Sequence, residues 1–272
     1  MSRISDRFSE LQDVRRKGLI TFITAGDPSI ESTVALMHSL VRGGADLIEL
    51  GVPFSDPMAD GEVIQRASER ALALATSLDD VLGCVETFRE ADTATPVVLM
   101  GYLNPYERMG AATFPERAAQ AGVDGVLVVD LPPDEADEFN TSLKSAGLDQ
   151  IFLVAPNSSE ERIGTICRYA SGFVYFVSVK GVTGDKALSV NDVAERIEAT
   201  RKISGIPVGV GFGIRTPQAA AAAAATADAI IVGSAIVEII EQGNEVADTA
   251  TRIETFVASL RAAIDAGQHD QT

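Results

Sequence analysis

Two carboxylates stand out for where they fall in the chain. Glu49 lies within the apolar run Asp46-Leu47-Ile48-Glu49-Leu50, which reads as a strand, and Asp60 closes the Pro- and Asp-rich loop after it. A carboxylate is costly inside a buried strand unless it is paired or used. Burial also raises its pKa toward neutrality, where a general acid or base works best. Two such groups on one strand–loop unit suggest acid/base chemistry at the C-terminal end of a strand. Bland readings stand beside this one. Glu49 could be a structural carboxylate bonded to backbone or to a Tyr, and Asp60 a helix-start residue with Gly61 and Glu62. Tyr175, a lone aromatic in a later strand, reads equally as a core residue with a satisfied hydroxyl.

Other chemistries find little support. Cys84 and Cys167 are far apart and lack metal or redox spacing, so both are expected as buried, reduced thiols. His38 and His269 have no neighbouring Cys or second His, which argues against zinc and against a His-based triad. That leaves carboxylates, Tyr, Lys and backbone groups.

Glycine-rich turns supply a second kind of chemistry. Gly211-Phe212-Gly213 and Gly233-Ser234-Ala235 follow apolar runs late in the chain, and Gly181-Val182-Thr183-Gly184 precedes them. Glycine lets backbone N–H groups approach a phosphate, and a helix N-terminus beyond the turn adds a favourable dipole. Each turn alone is weak evidence; their order together suggests a phosphate site.

The elements that must hold these groups alternate throughout. Short β-branched runs recur at 19–23, 46–50, 97–100, 125–129, 151–154, 173–177, 207–210 and 229–232. Amphipathic stretches of helical length separate them. Ile30, Val34, Met37 and Val41 form one stripe, with Asp27-Pro28 as cap and first helical residue. Thr216-Pro217 opens an Ala-rich helix in the same way. Pro132-Pro133-Asp134 opens another, and Ser189 or Asn191 caps the one containing Val193 and Ile197. Eight buried strands, each followed by a helix, predict an α/β fold, a single (β/α)8 TIM barrel spanning 1–272. An open doubly wound sheet is the alternative, but Thr24-Ala25-Gly26-Asp27-Pro28 lacks a dinucleotide fingerprint. Ile4, Phe8, Leu11 and Val14 predict an extra N-terminal helix over 1–16 closing the barrel bottom, and 268–272 reads as a frayed tail. In such a barrel the strand C-termini carry the site. That places Tyr102 and Asn104 after strand three, Asp130 and Pro132 after strand four, and Tyr175 in strand six beside Glu49, Asp60 and the glycine turns.

Charge narrows the partners. Acidic residues outnumber basic ones 39 to 22, a net charge of −17, which argues against nucleic acid and anionic membranes. Only Lys17, Lys144, Lys180, Lys186 and Lys202 are lysines. An acidic, Lys-poor surface fits a salt-rich cytoplasm and an ordinary acidic enzyme alike. The longest apolar stretch, 219–237, is broken by Thr226, Asp228 and Ser234, and the first residues carry Arg3, Asp6, Arg7 and Glu10, unlike a secretory signal. A soluble, cytoplasmic protein is expected.

The run Glu49-Leu50-Gly51-Val52-Pro53-Phe54-Ser55-Asp56-Pro57-Met58-Ala59-Asp60-Gly61 closely resembles the signature of the tryptophan synthase alpha chain family. So do Phe22-Ile23-Thr24-Ala25-Gly26-Asp27-Pro28, Gly181-Val182-Thr183-Gly184, Gly211-Phe212-Gly213-Ile214 and Gly233-Ser234-Ala235-Ile236-Val237. The resemblance implies retro-aldol cleavage of indole-3-glycerol phosphate to indole and glyceraldehyde 3-phosphate. It implies Glu49 as proton carrier at indole C3, Asp60 as acceptor of the indole N–H and Tyr175 as a positioning hydroxyl. Phe22, Ile64, Met100, Leu127 and Phe212 would wall the indole, with Thr183 closing onto Asp60. Gly184, Phe212, Gly213, Gly233 and Ser234 would hold the phosphate. Pro53, Phe54, Asp56, Pro57, Asn104 and Pro132 would meet a beta chain in an α2β2 assembly. No metal or cofactor is expected in this chain, since pyridoxal phosphate belongs to the beta chain. The chain departs from the family at Lys180, at Arg215 and in a short loop after Gly184; either cation could add charge near the phosphate. The alternative, a non-catalytic phosphate-binding barrel that activates a beta chain, has no need of Glu49, Asp60 and Tyr175 together, and Glu49→Gln would discriminate the two.

Overall fold

The β-branched runs become strands that pair in parallel, in sequence order, until the last meets the first. The computed structural model describes residues 2–177, 190–211 and 213–269. Its closed barrel comprises β1 (Gly18–Thr24), β2 (Leu47–Gly51), β3 (Val97–Gly101), β4 (Gly125–Val128), β5 (Asp149–Val154), β6 (Val174–Val177), β7 (Val208–Gly211) and β8 (Ala229–Val232). Pleating divides each strand between two cores. Ile48 and Leu50 face the surrounding helices. Leu47 packs inside the barrel with Ile20, Val98, Leu127 and Ile231.

The amphipathic stretches form α1 (Arg3–Asp13), α2 (Ile30–Arg42), α3 (Glu62–Ala73), α4 (Leu78–Arg89), α5 (Leu103–Met109) and α6 (Thr113–Ala121). They continue as α7 (Asp137–Ser145), α8 (Glu160–Tyr169), α9 (Val190–Ser204), α10 (Pro217–Ala224), α11 (Ser234–Glu241) and α12 (Val246–His269). Thr216 caps α10 and Pro217 is its first residue, as the sequence predicts. Asp27-Pro28 does not open α2. Ser29 is the cap, accepting from the Ser32 N–H at 3.3 Å, because the buried Asp27 carboxylate is taken by Arg70 at 2.8 and 2.7 Å. This helix turns Thr33, Leu36, Met37 and Leu40 inward, and Ile30, Val34 and Val41 only flank that denser row. Pro133–Glu135 forms a 3-10 turn ahead of α7. Asn191 lies inside α9 rather than capping it, and Ser189 lies outside the described residues. The α12 helix is anchored by buried Ile253, Val257, Leu260 and Ile264, and of the predicted tail 270–272 lie outside the described residues. Cys84 is buried, whereas Cys167 is only half-buried.

The N-terminal end of the barrel is packed and clipped. Ile4 and Phe8 of α1 join the interior cluster beneath Leu127 and Phe173, while Val14 ends the helix 69% exposed. Asp46, Asp124 and Asp228 stand just before β2, β4 and β8. Each accepts an N–H at the start of the preceding strand, Leu19 at 2.8 Å, Val97 at 2.8 Å and Val208 at 2.9 Å. Each is also held by an arginine, Arg261 at 3.2 Å, Arg89 at 2.7 Å and Arg201 at 2.9 Å. Asp46 is therefore a clip ahead of its strand rather than its first residue. Carboxylates with such partners, Asp46 and Asp124 buried and Asp228 half-buried, are structural.

Candidate active site

A cavity of about 280 Å³ opens at the other end, among the C-termini of the strands. Phe22, Ile64, Met100, Val129, Leu153, Val177 and Ile231 give it apolar walls, and Glu49, Asp60 and Tyr175 its polar groups. The strand register explains this grouping. Glu49 sits beside Phe22 of β1 and Val98 of β3, on the same inward face as Leu47. Tyr175 lies between Leu153 and Gly209. Glycine makes room at two points. A Cβ at Gly211 would fall on the Tyr175 hydroxyl, and one at Gly51 would lie 2.6 Å from the Phe22 ring.

Glu49 differs from the clips at the barrel bottom. It is fully buried, and neither carboxylate oxygen has a hydrogen-bond partner among the described residues. Burial pushes its pKa up to about 8, so the free site holds a neutral carboxylic acid at pH 7. Tyr175 is also held above the usual tyrosine range, first by burial and then by the charge Glu49 can carry. Its hydroxyl stays protonated and can donate or accept a hydrogen bond.

Asp60 is set differently. A turn fixes its backbone, with its N–H donating to the Pro57 carbonyl at 3.0 Å and Gln65 donating to its carbonyl at 2.8 Å. Gly61, the cap of α3, follows directly. Burial raises the Asp60 pKa to about 6, and a hydrogen bond from the Tyr102 hydroxyl restrains the rise. Tyr102 in turn accepts the Ala59 N–H at 2.9 Å and stacks on Phe54, ring centres 5.0 Å apart. Near neutral pH the two carboxyl groups therefore differ, Glu49 protonated and Asp60 largely ionised. Opposed protonation states of this kind allow an acid and an electrostatic stabiliser in one cavity.

Gly213, Gly233 and Ser234 line the same cavity at its far side. Ser234 begins α11, and its cap Gly233 offers no side-chain bond to the first turn. The N-terminus of α11 thus lies at the cavity wall, a setting suited to an anion. Among the described residues no group of three or more His, Cys, Asp or Glu could hold a metal ion.

A family model described as the tryptophan synthase alpha chain matches residues 8–265. The chain belongs to the tryptophan synthase alpha chain family. It is 55% identical over 267 residues to the tryptophan synthase alpha chain of Ralstonia nicotianae, covering 98% of this chain and 100% of that relative. It is 56% identical to that of Burkholderia pseudomallei, covering 97% of each. The crystal structure of tryptophan synthase subunit alpha from Legionella pneumophila superposes with a TM-score of 0.92 at 46% identity, covering 98% of this chain and 99% of that one. The tryptophan synthase alpha chain is the lyase subunit of tryptophan biosynthesis that cleaves indole-3-glycerol phosphate, and membership of the family implies a beta-chain partner.

Of the residues singled out in the sequence, Glu49, Asp60, Tyr175, Phe22, Ile64, Met100, Gly213, Gly233 and Ser234 converge on one cavity. Leu127 does not reach its wall. It is fully buried one layer lower, with Ile20, Leu47 and Val98, and Val129, two residues on and just past the end of β4, lines the cavity instead. Thr183, Gly184, Phe212 and Lys180 lie outside the described residues. Pro53, Phe54 and Asn104 border a separate groove of about 420 Å³ with Ser77, Leu78 and Arg108. Asp56 is exposed nearby and accepts from the Ser55 hydroxyl at 2.6 Å; Pro57 and Pro132 are half-buried. Tyr102 carries more than its position after β3 suggested. Its type and place were visible in the sequence, but its bond to a carboxylate on the loop after β2 was not.

Proposed function

We propose that Glu49, Asp60 and Tyr175 perform the retro-aldol cleavage of indole-3-glycerol phosphate. Protonated Glu49 donates to indole C3 and gives an indolenine-like cation. The ionised Asp60 accepts a hydrogen bond from the indole N–H and stabilises the charge that develops there. The Glu49 carboxylate then takes the proton from the glycerol hydroxyl next to C3. The carbon–carbon bond breaks, its electron pair returns to the indole ring, and glyceraldehyde 3-phosphate and indole result with Glu49 again protonated. Tyr175 positions the reacting hydroxyl. Phe22, Ile64, Met100 and Val129 enclose the indole, and Gly213, Gly233 and Ser234 take the phosphate. The supporting observation is Glu49 itself, a fully buried acid inside the cavity whose two oxygens have no partner among the described residues.

The step needs no cofactor in this chain. Indole passes to a beta chain that carries pyridoxal phosphate and joins it to serine, in a cytoplasmic α2β2 assembly. Its docking face is built on Pro53, Phe54, Asp56, Pro57, Asn104 and Pro132. Stacking of Phe54 on Tyr102, which holds Asp60, supports a mechanical link between that face and the cavity. Indole release from indole-3-glycerol phosphate, measured with and without a beta chain, tests the proposal. Wild type should release indole and Glu49→Gln should not, while still binding glycerol 3-phosphate; equal rates in the two proteins would overturn it.

A further inference from the structure

Two carboxyl groups, Glu49 and Asp60, and one guanidinium, Arg215, line the cavity. Among the described residues Arg215 is thus the positive group of the wall, in a chain of net charge −17. It lies two residues beyond Gly213 and shares the wall with Gly233 and Ser234. Its side chain is 51% exposed and ion-paired with Glu238, itself 24% exposed. Glu238 stands on α11, one helical turn after Ser234, a separation of about 6 Å along the axis. The cation and its carboxylate therefore flank the first turn of the helix whose N-terminus lies at the cavity wall.

We infer that Arg215 is a specificity-determining residue for the substrate phosphate, reached by exchanging Glu238 for the phosphate. The inference rests on the reading above, in which a phosphorylated substrate fills this cavity. Among the described residues, the glycine turns and α11 offer a dianion backbone groups and the Ser234 hydroxyl, none of them carrying full charge. A guanidinium adds full charge and a planar pair of donors that matches phosphate oxygens. An exposed ion pair contributes little and opens readily. Glu238 is not stranded when Arg215 leaves, since Arg66, bonded to Glu241, also lies in its field. Glu238 thus holds the guanidinium one turn from its point of use and screens it from anions that do not fill the cavity.

The test compares wild type, Arg215→Ala, Glu238→Gln and the double variant in indole release from indole-3-glycerol phosphate. Glycerol 3-phosphate and neutral indole serve as inhibitors, at low and at high ionic strength. Arg215→Ala should raise KM and the glycerol 3-phosphate inhibition constant about tenfold at low salt. High salt should shrink that gap, while kcat at saturation and inhibition by indole move little. Glu238→Gln frees the arginine and should lower both constants about threefold, a gain that disappears without Arg215. If both single variants shift KM the same way, or Arg215→Ala leaves glycerol 3-phosphate inhibition unchanged, the pair is a strut and the inference is wrong. Should Arg215→Ala fail to fold, Glu238→Gln still decides, because a gain in affinity cannot come from damage. Wild type that binds no glycerol 3-phosphate would sink the underlying functional reading as well; binding indifferent to Arg215 sinks only this role.

Discussion

The Tyr102 hydroxyl accepts the Ala59 N–H at 2.9 Å and restrains the pKa of the next residue, Asp60. One side chain after β3 thereby fixes both the backbone and the charge state of the loop after β2. Its hydrogen bond opposes the rise that burial imposes on the Asp60 pKa. Tyr102→Phe should let that pKa climb above about 6 and move the acidic limb of kcat/KM to higher pH. At pH 7 the loss should be about tenfold, and it should narrow at pH 8. A profile that falls uniformly without shifting would mean that Tyr102 only packs.

The wild-type profile follows from two opposed carboxyl groups. Asp60 must be ionised, so activity rises through about pH 6. Glu49 must be protonated, so activity falls through about pH 8. A bell in kcat/KM with those limbs is expected, and it reports the free enzyme. Because the groups share a cavity, the limbs belong to the pair. Glu49→Gln cannot lose a proton from that position, so its residual rate should lack the alkaline limb.

The barrel was legible because its strands are short β-branched runs separated by helical stretches, and each run lies within two residues of the strand it forms. Glu49 was legible for a related reason, as a carboxylate in a strand whose every position is buried. What could not be read depends on distant partners. Asp27 is a good cap by type, yet Arg70, 43 positions on, takes its carboxylate. Asp124 and Asp228 become clips only through the N–H groups of the neighbouring strands and through Arg89 and Arg201 of distant helices. Leu127 lies within β4 and Val129 just past its end, and only the depth of the cavity shows which of them lines it.

Glu49→Gln also has a signature in stability. The folded Glu49 pKa, about 8, lies above its ordinary value of 4.5. The native state therefore binds more protons than the unfolded state between those values, and stability falls as pH rises through the window. The slope is at most about 1.4 kcal/mol per pH unit. Relative to wild type, Glu49→Gln should grow more stable from pH 5 to pH 8 in urea unfolding, while losing about a thousandfold or more in kcat. A pH-independent stability difference would mean that Glu49 is charged in the free enzyme.

The clips at the barrel bottom predict the reverse division. Arg89 bonds the carbonyls of Gly122, Asp92 and Thr95 at 2.9, 3.1 and 2.7 Å as well as Asp124. Arg89→Met should leave those groups under-satisfied and cost about 3 kcal/mol, somewhat limited because Arg3 still reaches Asp124. KM and kcat measured well below the melting temperature should stay near wild type, since the cavity lies at the opposite end of the strands. A tenfold change in kcat without loss of stability would refute that separation.

Gly211 offers a test at the catalytic end that spares every carboxylate. It is paired with Val177 in β6 and Ile231 in β8, and its missing side chain leaves the space used by the Tyr175 hydroxyl. A Cβ there would meet that hydroxyl and would also lie 2.9 Å from the Ile231 Cβ. The strand backbone cannot give way without breaking the β6–β7–β8 ladder, so the tyrosine must swing. Gly211→Ala should therefore keep the barrel folded, at a cost of about 1–3 kcal/mol from overpacking. It should reduce kcat by one to two orders of magnitude through displacement of Tyr175. Replacing Tyr175 by Phe in the same background removes the hydroxyl that clashes. Recovered stability without recovered kcat would assign the hydroxyl a part in the reaction; recovery of both would make the clash alone responsible.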